Sequence, residues 1–244
     1  MPTPLYGDFW RGNQDVNLDA KRAVTNGKGC DVKMSLVMAI ANIEGIVVSG
    51  DWRLTRHRTD NPSITMPSDH SQKAYVTSTN HVVAFTGDAR LDTGEFLNDV
   101  ILHTLKITSA QKMPIKEELE FLLNVLSQKT GDSTVYLIEC GIENGKNVIL
   151  RTDTGHNKIQ PNTLDDIGYA ASGEHKLYQS KLIELGDNIY TLKLQEMVEF
   201  LQGINYEIAE IDSLVSPKCD IITVTSEGAQ RLYTPERYGW IVDP

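Results

Sequence analysis

Three residues of complementary chemistry stand at the ends of short apolar runs. Asp51 lies in Val47-Val48-Ser49-Gly50-Asp51-Trp52-Arg53, Lys73 opens Lys73-Ala74-Tyr75-Val76, and Gly87 follows Val83-Ala84-Phe85-Thr86. An acid, an amine and a conformationally permissive glycine could therefore converge where strands end. By residue type alone the same three also describe a surface salt bridge and an ordinary turn glycine. His57 and His70 lie near Asp60 and Asp69 in a polar stretch. A His/Asp/Ser triad can be drawn from them on paper, but loop histidines are mostly solvated, and no pair has metal-ligand spacing. Glu117, Glu118 and Glu120 read as the solvated face of a helix, and Asp165-Asp166 as a turn. No Walker A loop, dinucleotide glycine fingerprint, His-Glu-x-x-His or Gly-x-Ser-x-Gly occurs. Neither a metal nor a cofactor is expected.

The elements that must position these residues follow a definite order. Residues 35–42 and 46–49 read as a strand hairpin turning at Glu44-Gly45. Residues 53–72 read as a loop. Strands follow at 73–77 and 81–85, around Ser78-Thr79-Asn80. Leu91, Phe96, Leu97, Val100, Ile101 and Leu105 recur at helical spacing from Arg90 onward, and Pro114 opens a second helix. Strands return at 134–140 and 147–152 across Asn144-Gly145, a strong turn signal. A short strand at 168–171, helices at 174–185 and 192–211, and a hairpin at 219–225 and 230–233 complete the chain. Hairpins of strands segregated from hairpins of helices indicate α+β. The expected architecture is a four-layer α-β-β-α sandwich with two antiparallel sheets inside. Residues 1–34 read as an N-terminal extension or propeptide with a short helix around Leu18–Val24, and 35–244 as a single domain.

Composition narrows the partners. The chain has 244 residues and a formal net charge of −10. An acidic surface repels phosphate, which argues against nucleic acid and anionic membranes. Cys30, Cys140 and Cys219 are too scattered for a disulfide framework and suit a reducing, cytoplasmic compartment. The N-terminus lacks the basic and apolar regions of a signal peptide, and no apolar run is long enough to span a membrane.

The segment from Gly45 to Arg90 resembles the proteasome family of N-terminal-nucleophile hydrolases, including core-particle subunits and their bacterial peptidase relatives. Gly45-Ile46-Val47-Val48-Ser49-Gly50-Asp51-Trp52-Arg53 resembles the hairpin that follows the family's nucleophile strand. Lys73-Ala74-Tyr75-Val76 is similar to its lysine-bearing strand, and Gly87-Asp88-Ala89-Arg90 to the glycine that opens its first helix. The interval of 87 − 73 = 14 positions is the family's own. Farther along, Leu137–Gly141 with Asn147–Gly155, Ala171-Ser172-Gly173, Asp212 and Cys219–Gly228 resemble its later elements, so the likeness spans about residues 34–230.

The resemblance implies a mechanism. Counting back 51 − 35 = 16 positions from Asp51 puts the nucleophile at Ser35. Once residues 1–34 are removed, the free α-amino group takes the hydroxyl proton. Lys73 supplies positive field, Asp51 holds Lys73, the Gly87 amide receives the oxyanion, and Ser172 and Asp212 orient the amine. Serine stands where the family has threonine, Met34 where it has glycine, and the second C-terminal serine, expected near Val215, is replaced or shifted to Ser216. The implied partners are a peptide or unfolded-protein substrate, further copies in a homo-oligomeric ring, and an unfoldase. Gly87-Asp88-Ala89-Arg90 is especially close to the non-catalytic α subunits, which implies the alternative of a ring-forming paralogue with a structural or gating role.

Overall fold

The computed structural model describes residues 35–57, 65–69, 71–77, 80–173 and 176–233. The expectations for residues 1–34, including Cys30 and the helix at Leu18–Val24, lie outside the described residues, as do Asp60 and His70.

Thirteen strands and four α-helices are formed in the described part. In chain order the strands are β1 (Leu36–Asn42), β2 (Gly45–Asp51), β3 (Arg53–His57), β4 (Thr65–Asp69), β5 (Ala74–Val76) and β6 (Val82–Thr86). Helices α1 (Leu97–Gln111) and α2 (Ile115–Ser127) follow. Then come β7 (Tyr136–Glu143), β8 (Lys146–Asp153), β9 (Gln160–Pro161), β10 (Thr163–Leu164) and β11 (Ile167–Gly173). Helices α3 (Lys176–Leu185) and α4 (Leu194–Ile211) precede β12 (Cys219–Thr225) and β13 (Gly228–Tyr233). The first sheet runs β10-β11-β1-β2-β12-β13, the second β5-β6-β7-β8-β9, and β3 pairs with β4. Every pairing is antiparallel.

The strand sequences explain the layering. All seven residues of β1 and all seven of β2 are buried. Neither strand alternates apolar with polar, because both faces of the sheet are covered. Val37, Ala39, Ala41, Ile46 and Val48 face Ala74, Val82, Ala84, Ile138, Cys140 and Ile149 of the second sheet. The opposite row of that sheet, with Val83, Phe85, Leu137 and Leu150, packs on Leu97, Val100, Ile101, Leu119, Leu122 and Leu126 of α1 and α2. On the other side, α4 packs on β1, β2 and β12. The Tyr178 hydroxyl of α3 donates to the Ala39 carbonyl at 2.6 Å. The architecture is thus the expected α+β sandwich, α-β-β-α, with two antiparallel sheets inside.

Two expectations are corrected. Residues 53–72 are not a plain loop, because β3 and β4 pair from Arg53↔Asp69 to His57↔Thr65. This ribbon rests on main-chain hydrogen bonds, so it does not need the apolar alternation by which strands are recognised. The first helix begins at Leu97, not Arg90. Gly94 takes φ +87°, and Gly94 N–H donates to Leu91 O at 2.8 Å, closing a turn ahead of the helix. Leu91 is buried from that turn, while Phe96 is half-exposed beneath the Arg90 guanidinium. Apolar spacing continued through the turn by coincidence of burial rather than of helical geometry.

Candidate functional site

β1 and β2 deliver Ser35 and Asp51 to one end of the first sheet. Their antiparallel register, Val37↔Gly50, places the residue before β1 beside the end of β2. Gly50 has no side chain, and a Cβ there would lie 3.3 Å from that of Ala74. The main chain of Lys73 and Ala74 can therefore close on β2. Lys73 is held on the second sheet by the bond from Phe85 N–H to its carbonyl, 3.0 Å. Asn98 at the start of α1 donates to the Gln72 carbonyl at 2.9 Å, fixing the residue before it.

Lys73 Nζ lies 2.6 Å from Ser35 Oγ, 2.6 Å from Asp51 Oδ1 and 2.6 Å from the Arg53 carbonyl. The ammonium has three donors, and these oxygens accept all three. Asp51 is fully buried, and Ser35 and Lys73 are 7% and 5% exposed. The carboxylate is saturated as well. Oδ1 also accepts from Leu36 N–H at 2.9 Å, and Oδ2 accepts from Arg53 N–H at 3.0 Å and Ser216 N–H at 3.1 Å. A buried ion pair survives desolvation only with such partners. Its position also matters: Leu36 N–H is the first main-chain donor after Ser35, so the same carboxylate orders both the lysine and the chain that carries the hydroxyl.

The other expected residues stand at the ends of their own elements. Gly173 pairs with Leu36. Its φ is +90°, and a Cβ there would sit 1.4 Å from the Ser35 carbonyl oxygen, so only glycine permits this approach. Ser172 is buried, with its Oγ 2.7 Å from Thr86 Oγ1. That contact brings the end of β6, and with it Gly87, over the paired ends of β1 and β11. Gly87 adopts φ +154°, with Thr134 O and Val135 Cγ2 each 3.1 Å from where a Cβ would be. Asp212 ends α4, and its Oδ1 accepts from Leu214 N–H at 2.8 Å. Its Oδ2 is buried without a hydrogen-bond partner. Ser216 Oγ accepts from Lys218 N–H and caps its own turn. Chemically, a hydroxyl oxygen receiving a hydrogen bond from a buried ammonium is stabilised in its deprotonated form.

This fold has solved relatives. Anbu (ancestral beta-subunit) from Yersinia bercovieri superposes with a TM-score of 0.60 at 13% identity, over 81% of this chain and 86% of that one. Anbu from Hyphomicrobium sp. strain MC1 gives 0.59 at 14% identity, over 81% and 87%. The fold is the Anbu fold. At these identities the likeness is one of architecture. No sequence-family model matches the chain, and no curated protein matches it.

A second polar cluster was missed by sequence reasoning. Glu118 is not on the solvated face with Glu117 and Glu120; it is fully buried. It shares the interior with His81 and Glu139. His81 Nδ1 is 3.4 Å from Glu118 Oε2 and 3.8 Å from Glu139 Oε1. Thr108 Oγ1 donates to Glu118 Oε1 at 2.5 Å. Burial pushes the Glu118 carboxyl up, but hydrogen bonds with His81 and Thr108 outweigh it, leaving it below the usual range. Burial, and then the Glu118 charge, push Glu139 well above that range. The signal available in sequence was Ile115, Glu118, Leu119 and Leu122, which places Glu118 on the apolar stripe of α2.

Proposed function

We propose that this chain is a proteasome-like N-terminal-nucleophile peptidase, with Ser35 as nucleophile after removal of residues 1–34. The observation that carries the reading is the buried contact of Lys73 Nζ with both Ser35 Oγ and Asp51 Oδ1, each 2.6 Å. In this reading the freed α-amino group, with a pKa near 8, accepts the Ser35 proton as Oγ attacks the substrate carbonyl. The Lys73 ammonium stabilises the developing alkoxide, and the Gly87 amide receives the oxyanion. The amine then returns the proton to the departing amino group, and water hydrolyses the acyl ester. Ser172 and Asp212 hold the terminal ammonium, and the buried, unpartnered Asp212 Oδ2 supports that role by offering an acceptor. The ring-forming homo-oligomer, the unfolded-protein substrate and the unfoldase partner belong to the same reading.

The test joins N-terminal sequencing of the mature protein with peptide hydrolysis. Ser35 at the N-terminus, and hydrolysis lost in Ser35→Ala, is the expected result. A full-length chain that assembles but cleaves no peptide would instead identify the non-catalytic, ring-forming paralogue with a structural or gating role.

A further inference from the structure

Alternation along β6 and β7 sends His81, Val83 and Phe85, with Leu137 and Glu139, toward the helix layer. That layer is otherwise aliphatic and aromatic around Ile115, Leu119 and Leu122. A carboxylate there costs several kcal/mol unless something answers its charge. Glu139 is fully buried, and neither of its carboxylate oxygens has a hydrogen-bond partner. The neighbouring Glu118 adds like charge, which either a proton held between the two carboxyl groups or a bound cation must offset. Gly141 is what admits His81, since a Cβ there would stand 2.7 Å from the ring's Cδ2. The imidazole consequently lies across the strand with Nδ1 toward both carboxylates.

One donor atom from each of His81, Glu118 and Glu139 falls within a span of 4.8 Å. Nitrogen and oxygen ligands about 2.0–2.2 Å from a tetrahedral ion stand roughly 3.3–3.6 Å apart. The gaps of 3.4 and 3.8 Å from Nδ1 need only a small contraction. Two carboxylates with a neutral imidazole carry a charge that a divalent cation balances. Thr108 already orients Glu118 by binding Oε1, as outer partners of metal ligands do. We propose that His81, Glu118 and Glu139, with a water as fourth ligand, form a buried structural site for one divalent ion of the zinc class, tying α2 to β7 and to the residue that leads into β6. The site is separate from the Ser35 cluster: His81, just before β6, and Thr86, at its end, are 86 − 81 = 5 residues apart, or about 17 Å of extended chain.

The experiment uses the full-length chain, purified without immobilised metal, and compares wild type with Glu139→Gln and His81→Ala. Metal analysis should find about one zinc per wild-type chain and below about 0.1 in either variant. Protein produced in cobalt-supplemented medium should show the visible bands of four-coordinate Co2+ only in wild type. A chelator should lower the melting temperature of wild type and leave that of Glu139→Gln unchanged. A folded wild type without stoichiometric zinc or the cobalt bands overturns the proposal, because the trio would then be a protonated carboxylate pair beside histidine. Equal metal in wild type and both variants also overturns it. If a variant does not fold, wild-type metal content and the cobalt spectrum decide.

Discussion

Asp51 shows how much one buried side chain can do when every acceptor site is used. Its four bonds tie the end of β2 to β1, the start of β3, Lys73 and the turn at Ser216. Lys73→Ala removes the only side-chain cation in that set of bonds and leaves the carboxylate with main-chain donors. Unpairing a buried charge costs about 3–5 kcal/mol, and the three remaining N–H donors place this variant near the lower end. Denaturant unfolding measures that loss. The same variant should lose about 100-fold or more in peptide hydrolysis if Lys73 acts on the transition state. Ser35→Ala leaves one N–H of the buried Lys73 ammonium without its acceptor, so stability should fall by about 1.5–3 kcal/mol while hydrolysis drops to background. A Ser35→Ala chain that still cleaves peptide would remove Ser35 from the reaction.

At the scale of elements, the close pairing of β1 with β11 depends on a residue without a side chain. Gly173→Ala would force a Cβ into the Ser35 carbonyl at a φ of +90°. Neither the main-chain oxygen nor the dihedral can give without breaking the pairing at Leu36. We expect a loss of about 3 kcal/mol in unfolding experiments. Hydrolysis should fall further than that of an alanine substitution at an open, helical glycine such as Gly203, which has nothing within 4 Å of a Cβ. Equal activity in the two variants would show that the β1–β11 approach does not position Ser35.

For the whole molecule, the interior can be probed through its cysteines. Cys140 lies between the two sheets, and Cys219 starts β12; both are buried and free. Burial pushes the Cys219 thiol up to about 12 and Cys140 higher still. Thiolate is the reactive form, so a Cys30→Ser chain should resist aromatic disulfide reagents near neutral pH until it unfolds globally. Rapid labelling of the folded chain would show that the sandwich opens locally. Assembly is tested by sedimentation: a ring reads as a multiple of the single-chain mass, which is 27.2 kDa before residues 1–34 are removed. A lone single-chain species at micromolar concentration would contradict the oligomer.

The order of hairpins and helix pairs was legible in the chain because burial on both sheet faces leaves long apolar runs, and because Asn144-Gly145 and Pro114 carry their own local geometry. Asp51, Lys73 and Gly87 could be singled out because charged or glycine residues interrupt those runs at strand ends. Sequence could not show that Lys73 and Asp51 would exclude water together; that follows from Gly50 letting the sheets approach. The apolar stripe of α2 sets Glu118 apart from Glu117 and Glu120, but what covers that stripe, and so what the buried carboxyl meets, is decided by another layer. The ribbon of β3 and β4 escaped for a related reason: main-chain pairing needs no side-chain pattern. Local propensity and apolar period are written along the chain, whereas the meeting of His81, Glu118 and Glu139 depends on distant segments sharing one low-dielectric space, which only the tertiary fold creates.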